Sequence, residues 1–323
     1  MKAVRFEQAG GPEVLKLVEV ASPTPGPGEV LIRHEAIGLN FIEIYQRSGL
    51  YPMPLPSGLG QEAAGVIEAV GEGVSRFSVG DRAGYCTGPM GSYAEASVVQ
   101  AERAVRIPDA ISSKVAAASM LRGMTAEYLI RRAWPVRAGD TVLIHAAAGG
   151  LGIILTQWAK HLGIRVIATV GSEEKAKVAR GFGADEIIFY DREDVAARVR
   201  ELTGGRGVPV VYDGVGKSTF EGSLASLARH GCLIAFGNAS GAADPLNIGR
   251  LSRMGSLYVT RPTLNDYVAT TEELDDSADA LFGLIAKGVI TVEIGSERPL
   301  DQVRQAHEDM EARRTVGANI LIP

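Results

Sequence analysis

The stretch that most limits how this chain can fold is TVLIHAAAGGLGIILTQWAKHLG, residues 141–163. A compact apolar run, Thr141–Ile144, leads into a glycine turn, and a helix-like stretch, Ile153–Leu162, follows until Gly163 ends it. Gly149 and Gly152 stand at the second and third positions of the dinucleotide fingerprint G-x-G-x-x-G/A, with Ala147 in place of the first glycine. Such glycines let the backbone turn tightly and approach a pyrophosphate, while the helix N-terminus offers free N–H groups and a positive dipole. Residues 147–152, with Gly150 and Leu151 among them, are therefore the expected phosphate cradle. The plainer reading is a glycine turn in a βαβ fold that holds no nucleotide.

A second stretch, Gly58-Leu59-Gly60-Gln61-Glu62-Ala63, fits the fingerprint letter for letter. Its surroundings reject it. It follows YPMPLP, whose prolines lack the N–H donors of a central strand. What comes after, Gly65–Val74, alternates like a further strand instead of opening a helix.

The chain changes rhythm twice. Residues 1–122 carry short alternating runs such as EVLIRHEAIGL (29–39), broken by turns like PTPGPG (23–28), which describes a β-rich domain. From 123 to about 260, strand-like runs (Val142–His145, Arg165–Val170, Glu186–Tyr190, Val208–Asp213, Cys232–Phe236) alternate with helical stretches. That pattern predicts βαβ units and a parallel sheet. After 262 come two helical stretches and a terminal ANILIP.

Composition narrows the function classes. With 46% hydrophobic and 22% charged residues the chain is that of an ordinary soluble protein, and 323 residues suggest two domains. The net charge is −5 with no basic run, so nucleic acid is not the expected partner. Cys86 and Cys232 lie far apart without a C-x-x-C, which fits a reducing cytoplasm and neither a disulfide framework nor a four-cysteine zinc site. No apolar signal-like core opens the chain, and the most membrane-like window, 141–159, is interrupted by three glycines and His145, so no membrane insertion is expected.

NAD sites usually hold the ribose 2′-hydroxyl with an Asp or Glu at the tip of the second strand. Here Arg165–Val170 ends in Gly171-Ser172, and Glu173 and Glu174 fall in the first turn of the next helix, where they suit its dipole. Ser172 can cap that helix and also donate to a 2′-phosphate. Lys175 is either a phosphate contact or a solvated helix-face lysine; the missing carboxylate favours NADPH. Gly216-Lys217-Ser218 ends like a P-loop but has Val211 where the first glycine belongs. No G-x-S-x-G or H-E-x-x-H occurs, and all five histidines are expected to be structural or exposed.

With these pieces assembled, the chain resembles the medium-chain dehydrogenase/reductase superfamily, and within it the zinc-independent, ζ-crystallin-like quinone oxidoreductases of the bacterial branch. The resemblance is carried by GGPEVL (10–15), GLNFIEIYQRSGLYP (38–52), PSGLGQEAAGVI (56–67), VGDR (79–82), HAAAGGLG (145–152), ELTGGRGVPVVYDGVG (201–216), FGNASG (236–241), GSLYVTRP (255–262) and a terminal LIP. It implies an α/β protein, with a doubly wound Rossmann domain (123–261, NADPH-binding) and a GroES-like β-rich catalytic domain built from both chain ends (1–122 and 262–323). It also implies a homodimer joined edge to edge through the nucleotide-binding sheets.

By the same resemblance, Gln61 replaces the zinc-binding histidine of metal-dependent relatives, Asn40 falls at a cysteine ligand and Arg122 near another cysteine. Two amides and an arginine leave only Glu62, which makes no zinc site. The resemblance implies that Asn40, Tyr45, Tyr51 and Gln61 line the nicotinamide and substrate region. Asn40 is also a good N-cap for a helix starting at Phe41, and either Tyr can be mere packing. The cofactor pattern carries over to Asn40, Tyr128, Gly149, Gly150, Leu151, Gly152, Ser172, Lys175, Tyr190, Asn238 and Arg261; Asp213 lies toward the adenine side or binds backbone only. The implied activity is NADPH-dependent reduction of small quinones. The alternative is reduction of activated C=C bonds in enones or alkenals, with Tyr45 or Tyr51 as proton donor. A minor one is a non-catalytic, crystallin-like or AU-rich RNA-binding role.

Overall fold

In the computed structural model, which describes all of Met1–Pro323, the chain divides into two units. The first gathers Met1–Met124, Val268–Gly288 and Val292–Pro323; the second holds Thr125–Tyr267 and Val289–Thr291.

The first unit opens with β1 (Lys2–Phe6), β2 (Lys16–Glu19), β3 (Glu29–Leu39), helix α1 (Phe41–Arg47), β4 (Ser57–Gly58) and β5 (Ala63–Val70). It continues through β6 (Arg82–Tyr85), β7 (Ala96–Gln100), β8 (Val105–Arg106) and α2 (Ser113–Tyr128), whose last turn belongs to the second unit. The stretch 58–63 runs from a two-residue strand into β5, and Gly60 takes φ 94°. It is a turn between strands, as its prolines and alternation require, and has no helix to receive a phosphate.

The second unit strings β9 (Thr141–Ile144), α3 (Gly150–His161), β10 (Arg165–Val170), α4 (Glu173–Gly181), β11 (Glu186–Phe189) and α5 (Val195–Leu202). There follow β12 (Val208–Asp213), α6 (Phe220–Ser226), β13 (Leu227–Ala235), α7 (Gly249–Arg253), β14 (Tyr258–Thr260) and α8 (Leu264–Tyr267). Its six strands are all parallel in the order β11-β10-β9-β12-β13-β14. This is the doubly wound Rossmann order, with the direction of winding reversing between β9 and β12. Strands covered on both faces read as unbroken apolar runs, and Val142, Leu143, Val166, Ile167, Val210 and Val211 are all fully buried. β13 is longer than the expected Cys232–Phe236 because Leu227 already pairs with Val208, and the irregularity between the two pairings carries His230 at φ 59°.

The chain then returns through α9 (Thr271–Ala286), β15 (Ile294–Pro299), α10 (Val303–Glu311) and β16 (Ala318–Ile322). β16 pairs antiparallel with β3, placing the C-terminus inside a seven-stranded sheet ordered β15-β16-β3-β5-β6-β8, with β7 also on β3. Phe6, Leu15, Ile32, Leu39, Leu59, Tyr85, Met310 and Leu321 form this unit's core, drawn from both chain ends.

The return at 262 read from sequence needs correction: the chain stays with the second unit through Tyr267. That ring stacks on Tyr128, centroids 4.3 Å apart and 10° between planes. Val289–Thr291 also belong there, because the Gln157 side chain takes up both the N–H (2.8 Å) and the carbonyl (3.0 Å) of Thr291.

Candidate active site

In the second unit the loop after β9 is held from below. The buried His145 has Nδ1 3.0 Å from Thr169 Oγ1 and Nε2 3.0 Å from Ser223 Oγ. Ser223 donates to Asp213 Oδ2 (2.7 Å), so His145 donates to Ser223 through Nε2 and accepts from Thr169 through Nδ1. The proton direction is the reverse of a nucleophilic triad, and burial lowers the His145 pKa, keeping it neutral. Asp213 accepts further from Val215 N (2.8 Å), Gly216 N (3.1 Å) and Thr219 Oγ1 (2.8 Å). Both its oxygens are spent inside the protein, so of the two readings of Asp213 the structure has it bracing the β12 end.

The tight turn falls on Ala146, at φ 52°, so Ala147 need not be glycine. Gly149 lies just before α3, whose first i→i−4 bond is Ile153 N to Gly149 O at 2.9 Å. The N–H groups of Gly150, Leu151 and Gly152 come ahead of that bond, which leaves the helix opening suited to an anion. A Cβ on Gly152 would sit 2.6 Å from Ala146 O, so the third glycine is required by close packing.

Ser172 caps α4 by accepting from Lys175 N at 3.2 Å, and Lys175 is half-buried in that first turn. Glu173 pairs with Arg192 at 2.7 Å, so it too is engaged within the protein. Tyr190 is exposed just after β11, its hydroxyl over Gly171, where a Cβ would come within 2.3 Å. Asn238 is half-buried after β13, and Arg261 reaches back to donate to Ala235 O at 2.7 Å. Tyr128 is buried beneath Tyr267.

The other candidates lie in the first unit, around α1. Asn40 is 5% exposed. Its backbone N–H donates to Glu43 Oε2 (2.6 Å) and its Nδ2 to Glu62 Oε2 (2.9 Å). Asn40 and Glu43 form a capping box at the start of α1. The Asn40 amide nitrogen is turned toward Glu62. Glu62 Oε1 accepts from Leu121 N at 2.7 Å. Arg122, buried nearby, donates to Leu39 O (2.5 Å) and Ala118 O (3.1 Å). Tyr45 is buried and Tyr51 half-buried, their rings 5.2 Å apart edge to face, with Tyr51 N donating to Tyr45 O at 3.0 Å. Gln61 is half-buried, with its Nε2 unpartnered.

Burial pushes the Glu43 carboxyl up to about 8 and Glu62 up to about 7, the positive Arg122 pulling both back toward ionisation. Sequence reading passed over Glu43 and Tyr267 and left Glu62 without a role. Glu43 has a signal in hindsight, an Asn at N-cap with Glu three residues on. The cluster holds two amides, a guanidinium and two carboxyl groups, those of Glu43 and Glu62. That set does not fit zinc, which needs about three thiolate, imidazole or carboxylate donors.

Comparison with known proteins agrees with this architecture. The family described as "Alcohol dehydrogenase GroES-like domain" matches residues 26–109, and "Zinc-binding dehydrogenase" matches 150–280. A quinone oxidoreductase of Pseudomonas aeruginosa is 53% identical, over 100% of this chain and 99% of its own. A 2-haloacrylate reductase of a Burkholderia species is 43% identical over 99% and 98%. The crystal structure of Escherichia coli quinone oxidoreductase complexed with NADPH superposes with a TM-score of 0.99, at 47% identity and with 100% of each chain covered. Full-length identity at this level, with the fold and the fingerprint loop in place, shows that the chain belongs to the quinone oxidoreductase family of the medium-chain dehydrogenases/reductases.

Proposed function

We propose that this protein is an NADPH-dependent quinone reductase. The observation that carries the reading is the 147–152 loop, open at the start of α3 and followed across β10 by Ser172 and Lys175 instead of a carboxylate. The relative crystallised with NADPH supports it over its whole length. Bound there, NADPH supplies a hydride or electrons from its nicotinamide. Gly149, Gly150, Leu151 and Gly152 hold the pyrophosphate; Ser172, Lys175 and Tyr190 hold the 2′-phosphate end; Tyr128, Asn238 and Arg261 serve the remainder of the nucleotide. Asn40, Tyr45, Tyr51 and Gln61 bind and orient the quinone and the nicotinamide end. A quinone accepts reducing equivalents as a delocalised oxyanion, so hydrogen bonds suffice where a simple ketone would need a Lewis acid.

The protein works as a homodimer in the reducing cytoplasm. β14 is the free edge of the Rossmann sheet and leaves Tyr258 55% exposed, with Ile248 79% exposed in the segment before it. An apolar edge of this kind is a ready template for a second copy. Cys86 and Cys232 are free and buried, as a reducing compartment allows.

Initial rates of NADPH consumption against matched quinones and conjugated enones, with NADH alongside, test the reading. Fast quinone turnover with NADPH is expected. Preference for the enones would move the enzyme toward the chemistry named for the 43% identical 2-haloacrylate reductase.

A further inference from the structure

We propose that Arg192 determines the preference for NADPH over NADH by neutralising Glu173 at the edge of the 2′-phosphate cradle. The inference rests on the NADPH reading above, and all its residues lie in the second unit. At the tip of β10, where NAD sites carry an acid, a side chain is barred. A Cβ on Gly171 would lie 2.3 Å from the Tyr190 hydroxyl. The first acid after the tip is Glu173, next to the Ser172 cap of α4. Its negative charge would oppose a phosphate dianion there, whereas the 2′-hydroxyl of NADH would find an acceptor in it. Arg192 answers that charge, donating through Nη2 to Glu173 Oε1 at 2.7 Å. The guanidinium is itself fixed, stacked 3.9 Å from the centroid of the Phe189 ring. The turn that carries it is closed by Arg192 N and Glu193 N donating to Phe189 O (3.1 and 2.9 Å), and by Phe189 N donating to Glu193 Oε1 (2.6 Å). Both partners of the ion pair are more than half exposed (53% and 68%), and a pair of that kind adds little to stability. Its place beside Ser172, Lys175 and Tyr190 gives it another use. With Glu173 paired, the positive charge of Lys175 is not cancelled at the cradle. Arg192 is thus a positioning residue that sets specificity through Glu173.

Fluorescence titration of Arg192→Gln with NADPH and with NADH is the test. The Kd for NADPH should rise roughly fivefold, the order of one charge acting on a phosphate dianion across solvent, while that for NADH holds or falls. In Arg192→Gln/Glu173→Gln no carboxylate is left to mask, and the NADPH Kd should return to within about twofold of the wild-type value. The ratio of single-variant to wild-type Kd should shrink as salt is raised, because exposed charges are screened. An unchanged NADPH Kd in the single variant, or equal losses for the two cofactors, would overturn the proposal. So would a loss that persists in the double variant, since Arg192 would then meet the phosphate directly and not through Glu173. An unaltered protein that binds NADPH no more tightly than NADH would instead reject the cofactor reading.

Discussion

At the scale of single residues, similar letters do different work according to what they touch. Ser172 and Asp194 both cap a helix, accepting from Lys175 N at 3.2 Å and from Ala197 N at 3.0 Å. Only Ser172 follows β10, where the 2′-phosphate is expected. Each cap should be worth about 1 kcal/mol of stability. Asp194→Ala is thus expected to lower the melting temperature with NADPH affinity intact, and Ser172→Ala to lower both. Lys175→Ala should weaken NADPH roughly tenfold, as for one charged hydrogen bond, and NADH hardly at all. Equal losses in the two titrations would remove Lys175 from the phosphate site.

Among the elements, the two glycine stretches show how context outranks the letters. GLGQEA matches the fingerprint without a flaw and lies between β4 and β5. HAAAGGLG is imperfect and lies between β9 and α3. The imperfection is harmless because the left-handed turn moved to Ala146. The local alternation of strands and helices was readable because β9, β10 and β12 are buried on both faces and must be apolar throughout. Element ends were less readable: β11 stops at Phe189, one residue short of the expected Tyr190, and β13 starts five residues before Cys232. Those limits depend on pairing with a neighbouring strand, which no local pattern records.

For the whole molecule, buried titratable groups set the response to pH. His34 donates through Nδ1 to Ala94 O at 2.7 Å, with Nε2 facing Tyr85 OH at 3.2 Å. Burial lowers His34 to about 4 and His307 to about 3, the latter helped by the Arg47 charge. Their contribution is complete above about 6.5 and is lost as pH falls toward 4 and 3, since the unfolded chain takes up protons that the folded one refuses. Glu43 and Glu62 act in the opposite sense. Raised to about 8 and about 7, they hold protons that the unfolded chain releases, so their contribution is full below about 4.5 and is lost as pH rises through 7 and 8. Thermal melts should therefore show lower stability at pH 8.5 than at pH 6, and Glu43→Gln should flatten that alkaline limb. An unchanged limb would mean that Glu43 is ionised throughout.

Assembly belongs to this scale too. Tyr258→Glu places charge on the exposed edge of β14 and should shift sedimentation from dimer to monomer while leaving each protomer folded. A dimer that survives the substitution would place its interface elsewhere.

The order of strands and helices, the phosphate loop and the absence of a strand-tip carboxylate could be read in one dimension, because each follows from local periodicity and from residue types whose backbone or charge demands are local. The grouping around Asn40 could not. Glu62 lies 22 residues from Asn40 and Leu121 a further 59 from Glu62. Their hydrogen bonds exist only because β5 and α2 fold back on the end of β3, and because a buried carboxylate must find donors wherever the packed chain supplies them. Long-range pairing likewise brought β16 onto β3 and Tyr267 onto Tyr128. Such contacts are settled by packing and by the satisfaction of buried polar groups, and neither leaves a mark on the spacing of residues along the chain.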